Sequence, residues 1–171
     1  MTEQRDRVDR IQDEWRVARP DLDPSPQGVI GRLHRVALAL TAELTPVYAS
    51  YGLSEPEFDL LASLRRSPGE ALPAGELAAH TMVTTGGLTK RVDRLAERGL
   101  VERMGTPDDG RRRLIRLTDA GHALVDEAFT AHMANEHRLL EELGTADAEA
   151  LEPILRRWLL LLDPGQAASA R

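Results

Sequence analysis

Apolar residues recur at helical spacing over most of the chain, and the breaks between the stripes divide it into segments. Val8, Ile11, Trp15 and Ala18 return every three or four positions between charged neighbours, and Pro20 stops the pattern. Residues 21–27, with Pro24 and Pro26, read as a stiff linker. Val29, Leu33, Val36, Leu40, Leu44 and Val47 then predict a long helix ending near Gly52, with Pro46 as a place for a kink. Ser54 followed by Glu57 is a capping box, and Phe58, Leu61 and Leu64 continue an apolar face, so a third helix is expected over 55–66. Ser67, Pro68 and Gly69 break it.

A short helix is expected over 74–80 and a tight turn over 82–84. Another helix follows, opening at Thr84 or Thr85 and closing at Gly99. In it Leu88, Val92 and Leu95 share one face, while Lys90, Arg94 and Glu97 share the opposite one. The character then changes: 100–104 and 114–117 read as two strands joined by 105–113, which contains the turn sequence Thr-Pro-Asp-Asp-Gly. Thr118 caps a long helix to about Leu143, Gly144 ends it, and Thr145 opens a last helix to Leu162. Leu151, Ile154, Leu155, Trp158, Leu159, Leu161 and Leu162 cover more than half of that last helix, more than one neighbour within a small monomer buries. A second copy of the chain is therefore the expected partner. Residues 166–171 read as a frayed tail.

Composition narrows the chemistry. With 171 residues and 42% hydrophobic content the chain is sized for one compact domain or a small dimeric unit. It has no cysteine, which removes disulfides, thiolate metal sites and cysteine nucleophiles. No unbroken apolar run is longer than Trp158 to Leu162 and the N-terminus is charged, so a soluble, cytoplasmic protein without a membrane partner is expected. The net charge is −6, but residues 84–116 hold nine Lys/Arg against five Asp/Glu, while the rest of the chain holds 13 against 23. The positive charge is thus concentrated in one segment.

Short helix, tight turn, helix, then a two-stranded hairpin with an arginine-rich tip is the order of a winged helix-turn-helix. The expected fold is mainly α, with a two-stranded β wing flanked by N- and C-terminal dimerisation helices. The divisions are 1–53 for the N-terminal helices, 54–118 for a DNA-binding lobe, 119–165 for the C-terminal helices and 166–171 for the tail. Thr84, Thr85, Gly86 and Gly87 suit the close approach of a helix N-terminus to a phosphate, where free amides and the helix dipole favour an anion. Lys90 and Arg94 would then face DNA. Such a motif also serves as a plain packing unit, so a winged-helix protein-interaction module is the alternative.

The segment G-L-T-K-R-V-D-R-L-A-E-R-G-L-V-E-R, followed by D-D-G-R-R-R-L-I-R-L-T-D-A-G, closely resembles the MarR family of bacterial transcription regulators. The resemblance implies a homodimeric repressor on a pseudopalindromic double-stranded operator, and no enzyme activity. It places the family's wing pattern D-x-R on Asp109 and Arg111, with Arg111 entering the minor groove and Asp109 buttressing it. Gly110 stands where many relatives carry arginine, and Arg112 and Arg113 follow, which leaves open which arginine points into the groove.

The N-terminal segment D-x-W-R-x-A-R-P-D-L-D-x-S-P, with L-S-E-P-E-F-D-L-L-A-S-L-R-R further on, is similar to the urate-responsive PecS/UrtR branch of that family. That resemblance implies a small organic anion as effector and places its contacts on Trp15, Asp59 and Arg91. A fourth contact, an arginine in the family, falls on Ala79, which puts urate in doubt and keeps other organic acids in play. Trp15 serves equally well as the largest anchor of an amphipathic helix, and Asp59 with Arg91 as a structural ion pair. His132 and His137 stand five apart, about 140° around a helix and unlike one-turn metal ligands; neither a metal nor a cofactor is expected.

Overall fold

The computed structural model describes residues 4–68, 71–81, 85–105 and 114–163. The chain divides into two units, Met1–Gly52 and Leu53–Arg171.

The first unit is a helical hairpin of α1 (Arg7–Ala18) and α2 (Gln27–Ser50). A reciprocal cap starts α1: the Asp6 carboxylate accepts the amides of Val8 and Asp9 at 2.7 and 3.1 Å, and that of Asp9 accepts the Asp6 amide at 2.8 Å. Arg32 of α2 closes the hairpin, donating to Asp6 and Asp9, each at 2.7 Å. That Arg32 bond, with the Asp9 amide, holds the Asp6 carboxyl down at about 2. The buried positions of α1 are Val8 and Gln12, whereas Trp15 and Ala18 are exposed. The expected stripe of Val8, Ile11, Trp15 and Ala18 is thus only partly turned inward. A polar residue takes the core position, because the Gln12 amide donates to the carbonyls of Pro24 and Ser25 at 3.0 and 3.2 Å and so fastens the proline-containing linker. The expected long helix runs without interruption through Pro46.

The second unit comprises α3 (Glu55–Arg65), β1 (Ala71–Pro73), α4 (Ala74–His80), α5 (Thr85–Glu97), β2 (Val101–Met104), β3 (Leu114–Leu117), α6 (Asp119–Leu143) and α7 (Thr145–Leu162). Its core is built on α3, where Phe58, Leu60, Leu61, Ala62 and Leu64 are buried, with Leu77 of α4, Leu88, Val92 and Leu95 of α5 and Val125 of α6. Each fully buried Leu or Val contributes about 1.5–3 kcal/mol relative to leaving it in water. Among the described residues the sheet has three strands, β1 joining the two expected strands of the wing, in the order β1-β3-β2 and antiparallel throughout. β1 was not legible because three residues ending in a proline carry no alternation to detect; Pro73 sits at its end, where the missing N–H costs nothing.

Thr118 joins the wing to α6. Its hydroxyl donates to the Gly99 carbonyl at 2.6 Å and accepts the Gly121 amide at 3.1 Å, while its own amide reaches the Leu100 carbonyl at 3.1 Å. The helix passes so close there that a Cβ at Gly121 would lie 2.0 Å from the Leu100 oxygen. Gly144, at φ 92°, separates α6 from α7 as expected.

Candidate nucleic-acid interface

α4 and α5 pack against each other, and α5 turns Leu88, Val92 and Leu95 into the core. The alternate face, with Lys90, Arg94 and Glu97, is exposed, as the periodicity predicts. Thr85 and Gly86 form the first turn of α5, Gly87 follows half-buried, and Thr84 lies outside the described residues. Asp109, Arg111, Arg112 and Arg113 also lie outside them. The described part of the wing ends at the pair Met104↔Leu114, at the end of β2–β3 remote from Thr118.

Two ion pairs anchor the flanks of α5. Asp93 meets Arg103 of β2 at 2.6 Å, tying the helix to the wing. Arg94 meets Glu57 of α3, Nη1 to Oε1, at 3.2 Å. Glu57 is also the capping-box residue, and its Oε2 accepts the amide and hydroxyl of Ser54 at 2.9 and 2.7 Å. Burial pushes its carboxyl up, but the two Ser54 bonds and the charges of Arg94 and Arg98 outweigh that and hold it below the ordinary value. The cap was legible in the sequence. The contact to α5 was not, because Arg94 lies 37 positions away along the chain. Asp93 and Arg103 escaped for the same reason.

The three residues expected at an effector site fall in both units. Trp15, in the first, is 46% exposed. In the second, Asp59 and Arg91 form no ion pair with each other, so the structural-pair alternative does not hold among the described residues. Asp59 is half-buried, which pushes its carboxyl up against the opposing pull of Arg66. Arg91 has a buried Nη1 without a hydrogen-bond partner. A crevice of about 310 Å³ opens between α3 and α6, lined by Ala62, Arg65, Arg66, Val125, Asp126 and Phe129. Ala79 of α4 is exposed. Among the described residues no group of three or more His, Asp or Glu is placed to hold a metal ion, and no helix is long and apolar enough to cross a membrane.

Helix, turn and helix followed by a β wing define a winged helix-turn-helix protein. The model of the MarR family matches residues 51–112. The regulator PecS of Dickeya dadantii (strain 3937) is 38% identical over 151 residues, covering 88% of this chain and 91% of that protein. A mutant MarR from E. coli complexed with operator DNA superimposes with a TM-score of 0.66 at 28% identity, covering 78% of this chain and 96% of that one. The MarR family protein Rv2887 of Mycobacterium tuberculosis, in complex with salicylic acid, gives 0.59 at 31% identity, covering 75% and 95%. The chain belongs to the MarR family and is a transcriptional regulator.

Proposed function

We propose that the protein is a homodimeric repressor that binds a pseudopalindromic DNA operator and is released from it by a small organic anion. The observation that carries this reading is α5: its apolar face is consumed by the core, so its remaining face, with Lys90 and Arg94, is free to enter a major groove beside the wing. Thr84, Thr85, Gly86 and Gly87 are the candidate phosphate contacts at its start. Asp109 with Arg111, Arg112 and Arg113 are the candidate wing contacts. The MarR relative solved with operator DNA supports this assignment.

Residues 1–53 and 119–165 are assigned to the dimer. Support comes from the apolar residues of α7, among which Leu151, Ile154, Leu155 and Leu159 to Leu162 are all exposed. For the effector, Arg91 is the candidate cation and Asp59 the candidate acceptor of a ligand N–H or hydroxyl, with Trp15 as the third contact. The salicylic acid complex of a 31% identical relative favours an aromatic acid as the first compound to try. A ligand that draws on Arg91 acts on the helix that carries Lys90 and Arg94, and half-sites about one helical turn apart make both subunits sensitive to a small displacement.

Footprinting on the DNA flanking the protein's own gene, repeated with a panel of organic acids and over a salt series, tests the whole reading. Steeply salt-dependent protection that an acid relieves is the expected result. Absence of protection at low salt would favour the protein-interaction alternative.

A further inference from the structure

Glu57 does more than a capping residue needs to do. Its side chain is 4% exposed, and burying an ionised carboxylate is costly unless its lone pairs are satisfied. The two Ser54 bonds to Oε2 already complete the cap and immobilise the group. Oε1 is then left pointing at α5, where it holds one edge of the Arg94 guanidinium. The rest of that side chain is exposed, 54% overall. Arg94 stands nine residues after Thr85, roughly 13 Å along the helix axis. Base edges are read from the first turns of a recognition helix, so a cation this far along meets backbone instead, a contact that fixes register without reading sequence.

We propose that Glu57 is a positioning residue for DNA binding, holding Arg94 in a preset orientation so that the free edge of its guanidinium clamps a phosphate and fixes how α5 sits in the groove. This rests on the reading of the chain as a DNA-binding regulator. An unrestrained arginine loses its rotamer freedom on binding, whereas one already held by a fixed carboxylate loses less. Arginine suits the task because its planar fork can serve two anions at once, one on each edge.

The test is a double-mutant cycle with the full-length chain, using Glu57→Gln, Arg94→Ala and the pair. Binding is titrated against the footprinted operator and a random-sequence duplex over a salt series. Arg94→Ala is expected to weaken both duplexes by a similar factor, about tenfold, and to reduce the salt slope by about one. Glu57→Gln, which keeps a capping side chain, is expected to weaken both by about three- to tenfold with the thermal midpoint little changed, and to have no effect once Arg94 is alanine. Arg94→Lys leaves Glu57 untouched and keeps the charge and the salt slope, but is expected to lose at least about threefold in affinity because lysine has no second edge.

Tighter binding by Glu57→Gln would mean that the carboxylate only shields Arg94, and would overturn the proposal. Equal losses from Glu57→Gln with and without Arg94, a collapse of folding in Glu57→Gln, or wild-type affinity in Arg94→Lys would do the same, leaving DNA binding itself intact. No salt-dependent binding by the wild-type chain would overturn the DNA-binding reading and this proposal together.

Discussion

α5 and α7 are both amphipathic helices, yet only one of them is finished within the chain. α5 buries Leu88, Val92 and Leu95 completely and has its polar flanks tied to α3 through Glu57 and to β2 through Arg103. α7 is the more apolar helix and has no buried residue; Leu161 is 73% exposed. The contrast separates two kinds of unsatisfied surface. What α5 leaves over is charge, which calls for a polyanion, and what α7 leaves over is hydrocarbon, which calls for another protein surface.

Removal of α7 has the largest expected effect. A chain ending at Gly144 is expected to sediment as a monomer and to lose operator affinity by about a hundredfold or more, since two linked half-sites no longer cooperate. A truncated chain that still sediments as a folded dimer would show that α7 packs only within its own subunit. Next in size is the core of α5: Leu95→Ala should cost about 2–5 kcal/mol in urea unfolding, independent of protein concentration. Leu161→Ala on α7 should change monomer unfolding by less than about 0.5 kcal/mol and show itself in the dimer dissociation constant instead.

A smaller effect is expected at the wing. Arg111→Ala should weaken operator binding by about 1–3 kcal/mol in a gel-shift titration while leaving the dimer intact. Unchanged affinity would pass the role to Arg112 or Arg113. The smallest effect concerns the hairpin of the first unit. The Asp6 carboxyl is held at about 2 by Arg32, below its usual value of 3.8. A depressed carboxyl stabilises the hairpin fully above its unfolded value, so that contribution should be lost as the pH falls from about 4 through 2. Fluorescence of Trp15 in a Trp158→Phe chain would follow it, and Arg32→Ala should flatten the transition.

How much of this was legible in the sequence depends on the range of the interaction. The starts of α3 and α6 and the break between α6 and α7 follow from Ser54, Thr118 and Gly144, all of which act on backbone within a few residues. The two faces of α5 follow from periodicity alone. What escaped is tertiary: the second bond of Glu57, the pairing of Asp93 with Arg103, and the burial of Gln12 in place of Trp15. Gln12 shows why, since a polar residue is placed inside by the carbonyls it meets, and those belong to a linker twelve and thirteen positions away. The candidate effector residues came from family resemblance; nothing local to Asp59 or Arg91 announces a ligand.

Gly121 has a mechanical consequence. With the Leu100 oxygen where its Cβ would be, the start of α6 and the strand-entry backbone share one seam with no room for slippage. Three hydrogen bonds through Thr118 stitch the same seam. Leu100 is the residue at which α5 gives way to β2. Any rotation of α6 would therefore be passed to the junction of α5 and β2, as torque passes through a keyed shaft, and a substitution that widens position 121 would loosen the key.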